Sequence, residues 1–419
     1  MAQKAGPLAG MRVIELAHIM SGPVCGMMLA DMGADVIKVE KVPGGDDSRR
    51  FAPIMAHGES ASFMIVNRNK RGIALNLKTA GGREVLQRLL ASADVVTENY
   101  RKGTMEKLGM GYDVLKAMNP GLIYCAISGY GRSGPLADKA GFDLIAQGMS
   151  GLMSMTGEPG QAPIKAGSPV TDINAGILAA LGICAAYAEK QRTGRGQMVD
   201  TSLFEAGLQQ MYWAFANYFA DGTVLPKMGS ANPTSAPYQA FRTLDGWINV
   251  GAANQSNYER LVNVLGMPEL ASDARFSTNA ARMANRAALV EVLGVRLAQK
   301  TTDEWLVAFD AIGLPCGPVL DVPQVATHEQ TLARAMVVES DHPLAGRTRG
   351  IGLPIHFSAG DEVDGATPEH EPMPRSRPAP LYGEHTRAVL REYGFDNERI
   401  DALVAEGAVL AHDAQRAAA

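Results

Sequence analysis

The sequence predicts an α/β protein: a larger domain built on a parallel sheet, followed by a smaller α+β domain. Three observations carry this. The chain has 419 residues, enough for two or three domains at roughly 150 residues each. Its first half alternates short β-rich runs with helical patterns, the grammar of a parallel sheet with crossover helices. After Asp221 that alternation stops and a hairpin signal followed by helices replaces it.

In chain order, Arg12-Val-Ile-Glu-Leu-Ala17 reads as a first strand, Gly22 to Gly33 as a helix and Asp35 to Glu40 as a second strand. Ile73 to Leu77 is strand-like and leads into a helix over Gly81 to Ala93. Asp94 to Thr97 and Leu122 to Ile127 are strands on either side of a helical stretch, Met105 to Met118. Helices over Ile173 to Lys190 and Leu203 to Ala220 close a Rossmann-like α/β domain. Beyond it, Tyr238 to Thr243 and Trp247 to Gly251 flank Leu244-Asp-Gly246, where Asp-Gly favours the positive φ of a tight hairpin. Tyr258 to Leu265, Arg286 to Leu297 and Thr302 to Ala311 read as helices, and strand character returns over Ala335 to Glu339. Pro368 to Pro380 reads as an extended connector. Helices over Thr386 to Tyr393 and Asn397 to Glu406 follow, and the Ala-rich tail after Gly407 reads as frayed.

Composition narrows the function. A net charge of -5 argues against a nucleic-acid binder, which carries a basic excess. Locally the balance reverses: Lys38 to Lys107 holds 13 Lys and Arg against 8 Asp and Glu, 13 − 8 = +5. Such a field suits a small polyanion, and equally a solvated surface. The four cysteines are scattered, as in a reducing cytoplasm. The eight histidines include no H-E-x-x-H, so no metal is expected. No signal peptide is apparent, and the longest apolar run, Ala175 to Ala188, is short of the ~20 residues that span a bilayer.

Gly129-Tyr-Gly-Arg-Ser-Gly134 spells G-x-G-x-x-G after a strand, but Pro135 follows at once and no acid-tipped second strand comes after it. A dinucleotide fingerprint needs both. In the first βα turn, Ala17-His-Ile-Met-Ser-Gly-Pro23, a helix N-terminus offers free N–H groups to an anion or a thioester carbonyl, or is simply well capped. Lys38 and Lys41, Asn69-Lys70-Arg71, Asn99-Tyr-Arg-Lys102 and Lys107 cluster just after predicted strands or in the loops beyond them, and an open α/β sheet binds its ligand outside the carboxyl ends of its strands. Cations there suit phosphates and Tyr100 suits a base, as coenzyme A would require. Asp172 opens a long apolar helix and Asp143 a shorter one. Each reads as a helix cap or as a carboxylate kept ionised by the helix dipole, Asp172 as a nucleophile.

Several ordered blocks resemble the class III coenzyme A transferases: Gly33-Ala-Asp-Val-Ile-Lys-Val-Glu40, Asn67-Arg-Asn-Lys-Arg71, Asp94-Val-Val-Thr-Glu-Asn-Tyr100, Asn119-Pro-Gly-Leu-Ile-Tyr124, Ser128-Gly-Tyr-Gly131 and Gly194-Arg-Gly-Gln-Met-Val-Asp200. The likeness runs from about residue 8 to about 395. It implies a Rossmann-like large domain made from both chain ends, here 1–222 and 335–419, and a small domain at 230–328 joined by two linkers. The resulting ring interlocks with a second copy as a homodimer.

The resemblance also implies an activity. Acyl-CoA and a small carboxylate would be the partners, with CoA as substrate and no permanently bound cofactor, nucleic acid or membrane. Asp172 matches the family's nucleophile, which forms an aspartyl-CoA thioester. His18, Met20 and Ser21 match contacts near the pantetheine end and Lys41 one near the adenine. Asn69, Lys70, Asn99, Tyr100, Arg101 and Lys107 complete the CoA set, and Asp143 matches an acidic position beside the active site. Met20 stands where formyl-CoA transferase has glutamine, and Gly251-Ala-Ala-Asn-Gln255 is poor in glycine where that enzyme has a glycine-rich loop. Formyl and oxalate exchange is therefore not expected; succinyl-CoA as donor and a short dicarboxylate as acceptor is what the habit of the resembled family implies. The alternative is an α-methylacyl-CoA racemase-like isomerase, although Phe142 stands where racemases carry a histidine.

Overall fold

A computed structural model describes residues 6–357 and 376–412. Most of the predicted Pro-rich connector and the end of the Ala-rich tail lie outside the described residues. Within them, the segments Met1–Gly151, Gly167–Met211 and Glu329–Ala419 contribute one compact unit, and Leu152–Ala166 with Tyr212–His328 a second. The smaller unit ends at His328, where the expected small domain ends, but its main segment begins at Tyr212 rather than 230, and Leu152–Ala166 groups with it.

The first unit is built on a sheet whose strands run, in spatial order, β12-β3-β2-β1-β4-β5-β6. These are β1 (Arg12–Glu15), β2 (Asp35–Lys41), β3 (Arg71–Leu75), β4 (Val95–Glu98), β5 (Ile123–Ser128), β6 (Met198–Ser202) and β12 (Val409–Leu410). All pairs are parallel except β12 with β3. Period-two alternation sends Val13, Val36, Val95 and Ile123 into one core and Ile14, Ile37, Val96 and Tyr124 into the other, so both faces of the sheet are covered. On the first face lie α1 (Ser21–Asp31) and α4 (Val170–Thr193). On the second lie α2 (Ala80–Ala91), capped by Thr79, whose Oγ1 accepts from the Gly82 N–H at 3.0 Å, and the helices Thr386–Glu392 and Asn397–Ala405. Strand order reverses between β1 and β4, which opens a crevice beyond their carboxyl ends.

Several expectations need correction. The helix predicted over Met105 to Met118 is two pieces, Thr104–Lys107 and Tyr112–Met118, because Gly109 takes a left-handed φ of 73° between them. The helix predicted from Leu203 to Ala220 breaks at a 3₁₀ turn, Gln209–Met211, where the chain passes from one unit to the other. The tail after Gly407 is not frayed at its start, since Val409 and Leu410 pair with Leu75 and Ala74. The long apolar helix α4 has 24 residues, running beyond the predicted Ile173 to Lys190 at both ends, and a length and apolarity that would cross a bilayer. Its Thr171, Ala175, Gly176, Ala179, Ile183 and Ala186 nevertheless pack into unit 1, while Ile177 and Leu181 are exposed. The short edge strand β6 carried too little pattern to be seen.

In the second unit the predicted hairpin is β7 (Tyr238–Arg242) and β8 (Trp247–Gly251), closed by a Thr243 N–H bond to the Gly246 carbonyl at 3.0 Å. The short β9 (Cys316–Pro318) adds to β8. Trp305, Phe309, Tyr258 and Phe276 fill the core. Arg282 is fully buried there, donating to the Ala236 and Phe276 carbonyls at 2.6 and 3.0 Å, with its guanidinium 4.1 Å over the Tyr258 ring. An unforeseen partner for the strand near 335 completes unit 1: β10 (Val337–His342) and β11 (Gly346–Ile351) form a separate antiparallel hairpin.

The contact that brings α1 and α4 together is at Gly176. A Cβ there would fall 2.5 Å from the Ser21 carbonyl oxygen and 3.0 Å from Val24. Backbone cannot yield as a flexible side chain does, so Gly176→Ala forces the helices apart. Such overpacking costs about 1–3 kcal/mol. A lower midpoint in thermal unfolding is expected; an unchanged midpoint would show that this approach does not hold the pair.

Candidate active site

The crevice beyond β1 and β4 is shaped first by buried charge. Glu15, at the end of β1, is fully buried and pairs with two lysines, Lys38 Nζ at 3.1 Å and Lys70 Nζ at 2.9 Å. Lys38 also reaches Asp46 at 2.9 Å and donates to the Ala17 carbonyl at 3.0 Å. Lys70 donates to the Pro23 carbonyl at 2.9 Å and to Asn67 Oδ1 at 2.8 Å. Gly26 makes room for the carboxylate, since a Cβ there would overlap Glu15 Oε2 at 1.7 Å. Burial alone would lower the Lys38 ammonium, but Asp46 and Glu15 override it and hold it above its ordinary range. For Asp46 burial likewise loses to Lys38, which leaves that carboxyl far below the usual range. Burial pulls Lys70 down to about 8 against the pull of Glu15.

These charges hold the turn after β1. Ile19 adopts a φ of 69°, strained for a β-branched residue, and its N–H is held by both Asp46 oxygens at 3.2 Å. Asn99, just after β4, locks the same turn from the other side: its Oδ1 accepts from the His18 N–H at 2.9 Å and its Nδ2 donates to the His18 carbonyl at 2.8 Å. The His18 and Tyr100 rings lie 5.7 Å apart. Glu98 accepts the Tyr100 N–H at 2.7 Å and the Tyr124 hydroxyl at 3.1 Å, and pairs with Arg132.

A cavity of about 410 Å³ opens between these loops, and Asp172 stands in its wall with His18, Met20, Ser21, Asn99, Tyr100 and Arg101. Asp172 does not cap α4. That helix starts at Val170 with Pro169 at the cap position, so Asp172 sits in the first turn. Asp143, the first residue of α3 (Asp143–Met149), does the capping from outside: its Oδ1 accepts from the Thr171 N–H at 3.0 Å and from the Thr171 hydroxyl at 2.8 Å. Its other oxygen accepts from Gln147 at 2.7 Å. Among the described residues no donor reaches the Asp172 carboxylate. Burial, and then the Asp143 charge, push its pKa up to about 7, against the pull of the helix dipole, which favours the ionised form.

Seven of the expected residues thus meet in this cavity, with Asp143 supporting Asp172 from behind. Four do not line it. Lys70 is consumed by the buried charge cluster. Asn69 donates to Asp31 at 2.7 Å and accepts from the Arg377 N–H at 2.6 Å. Lys41 is exposed and paired with Asp47 at 2.8 Å, and Lys107 is exposed on its short helix. Lys139 also lines the cavity and carried no signal of its own; Phe142 and Lys102, the latter among the predicted cations, line it too. The available signal was glycine: a Cβ on Gly129 would lie 2.8 Å from Gly141 Cα, so the loop after β5 must fold back and carry Lys139 with it. That is the use of the G-x-G-x-x-G run, whose Gly131 and Gly134 take positive φ in a loop that opens no helix.

The profile of CoA-transferase family III matches residues 8–386. The chain is 36% identical over 408 residues to a succinyl-CoA:glutarate CoA-transferase from Mus musculus, covering 97% of this chain and 91% of that one. It is 38% identical over 398 residues to a succinate–glutarate CoA-transferase from Agrobacterium fabrum, covering 94% and 97%. Among solved structures, a CAIB/BAIF family protein from Brucella suis superposes with a TM-score of 0.81 at 40% identity, covering 93% of this chain and all of that one.

Two outcomes follow from the charges. Glu15→Gln leaves two buried ammonium groups short of their shared counter-charge, a loss of about 3–5 kcal/mol, and should show as a large drop in melting temperature. A variant as stable as the parent would mean the cluster is not what holds the turn. Asp172 carries a folded-state pKa of about 7 against an ordinary 3.8, so the native fold favours its protonated form. Its contribution is most favourable below the unfolded value and is lost as pH rises through 7. Asp172→Asn should therefore melt above the parent at about pH 8 and close to it at about pH 4; a gap that does not widen with pH contradicts the assignment.

Proposed function

The chain belongs to CoA-transferase family III, and from that premise we propose that it moves CoA from succinyl-CoA to a short dicarboxylate, glutarate foremost, through Asp172. That it is an enzyme exchanging CoA between an acyl-CoA and a carboxylate follows from the family. The substrate pair rests on the two relatives named for succinate and glutarate, and the nucleophile on the position of Asp172 in the cavity wall with no donor holding its carboxylate among the described residues.

The reaction we infer is a double displacement. Ionised Asp172 attacks the thioester carbonyl of the donor, and collapse of the tetrahedral oxyanion expels CoA thiolate and leaves a mixed anhydride. The thiolate attacks the Asp172 acyl carbon, giving aspartyl-CoA and freeing the donor acid. The acceptor carboxylate attacks this thioester and expels thiolate again. Thiolate then attacks the acceptor side of the second anhydride, forming the new acyl-CoA and restoring Asp172. Each oxyanion needs donors already in place, and the N–H groups at the start of α1, beside Ser21 in the cavity, are suited to that. His18, Met20 and Asn99 would border the thiol end of CoA, with Tyr100 and Arg101 further out. Lys102 and Lys139 would attract the far carboxylate of a diacid. Phe142 in the same wall has no proton to move, which speaks against the racemase alternative.

An interlocked homodimer belongs to the same reading. On the helix Tyr212–Asp221, Tyr212, Trp213, Tyr218 and Phe219 are more than half exposed, a patch that a second copy would cover.

Asp172→Ala should abolish exchange while CoA still binds, and hydroxylamine added during turnover should mark Asp172 of the parent as a hydroxamate detectable by mass spectrometry. Turnover retained without Asp172 defeats the mechanism. A panel of acyl-CoA donors against dicarboxylic and monocarboxylic acids tests the substrates: succinyl-CoA with glutarate should lead. Because the nucleophile must be ionised, kcat/KM should rise with pH through about 7. A flat profile from about pH 5 to 9 would show that another group, or a different ionisation, limits attack.

A further inference from the structure

A second cavity, of about 420 Å³, lies in unit 1 between the segment Met55–Arg68 and the β10–β11 hairpin. None of its lining residues is among those around Asp172. Arg68 forms part of its wall and is only 5% exposed. One guanidinium nitrogen, Nη2, is paired with Asp31; the other, Nη1, is buried and has no hydrogen-bond partner among the described residues. Ser376, in the same wall, has a buried hydroxyl that is also without one. A buried donor left unmade costs about 1–3 kcal/mol, and two in one cavity point to a polar group that belongs there.

The surroundings define that group. Asp31 already offsets half of the guanidinium fork, so a single Nη1 edge remains, which suits one oxygen of a singly charged anion better than a doubly charged phosphate. Much of the remaining lining is apolar, with Met55, Met64, Ile65, Val338 and Ala379, while Ser340 and Thr348 bond to each other at 3.0 Å. Arg347 and Arg349 stand at the exposed rim, both paired with Glu339, and add attraction for an anion on its way in. The volume is within the usual range for small-ligand sites, about 300–1,000 Å³.

We propose that this cavity binds an amphipathic monocarboxylate, its carboxylate on Arg68 Nη1 and the Ser376 hydroxyl and its hydrocarbon chain against the methionines and Val338. The proposal is independent of the reaction assigned to Asp172.

The test is calorimetric titration of the full chain with octanoate, with octanol and inorganic phosphate as probes of the tail and the charge alone. The informative variant is Gly350→Ile. A Cβ at Gly350 would sit 3.5 Å from Arg68 Nη1 and 3.7 Å from Val338, ordinary contacts, so the longer side chain occupies the cavity without removing any native bond. Octanoate should bind the parent and Asp172→Ala equally. It should bind Gly350→Ile, and separately Arg68→Met, at least roughly tenfold more weakly, the loss of one charge-assisted bond. Gly350→Ile should keep the melting temperature of the parent, which guards against misreading an unfolded Arg68→Met. Failure of octanoate to bind the parent overturns the proposal. So does binding unchanged in Gly350→Ile, or octanol or phosphate binding as tightly as octanoate.

Discussion

Four buried charges, Glu15, Lys38, Asp46 and Lys70, set the geometry on which the crevice depends. Formally they sum to zero, and three of them also hold backbone: Lys38 takes the Ala17 carbonyl, Asp46 the Ile19 N–H and Lys70 the Pro23 carbonyl. The turn from β1 into α1 is thus fixed at three points by ionic groups that cannot move without exposing a charge to a dry interior. An apolar cluster of equal volume would fill the space but would not hold Ile19 at a positive φ. The α1 N-terminus, the wall of the cavity and the approach of α4 all inherit their positions from this cluster.

Asp172 is placed under opposing influences. The first turn of α4 favours an anion there, while burial and the nearby Asp143 charge oppose it, and the balance falls near neutrality. Asp143 cannot be removed to relieve this, because it supplies the acceptor for the Thr171 N–H and hydroxyl and so seats the helix start. A carboxylate without stabilising donors is more basic and more nucleophilic than an ordinary one. For an acid asked to attack a thioester that is an advantage, provided that enough of it is ionised at working pH.

The parallel sheet, its two covered faces and the hairpin at Asp245-Gly246 were legible because each rests on local pattern: period-two apolar alternation, strand-helix alternation and a turn dipeptide. Asp172 and the loops after β1 and β4 were legible through the resemblance, and strand order puts them in one crevice. What the sequence did not disclose depended on long-range neighbours. Lys70 stands in a block that resembles a CoA contact, yet its charge is taken by Glu15, 55 residues earlier. Lys139 reaches the cavity only because Gly129 and Gly141 let two loop limbs touch. Nothing near Met198–Ser202 or Val409–Leu410 shows that a sheet edge waits for them, because edge strands this short carry little pattern of their own.

By itself, then, the sequence determined the central strands and the longer helices, that they form a parallel sheet, and which family's chemistry the chain carries. These follow from periodicity and ordered motifs. Tertiary structure alone decided which cations are free to meet a ligand and which are locked in the core, and that Asp143 rather than Asp172 caps α4. It also set the basicity of Asp172. Charge is a property of a residue, but its pairing, desolvation and pKa belong to its neighbours in space, and residues 15, 38, 46 and 70 become neighbours only when the sheet assembles.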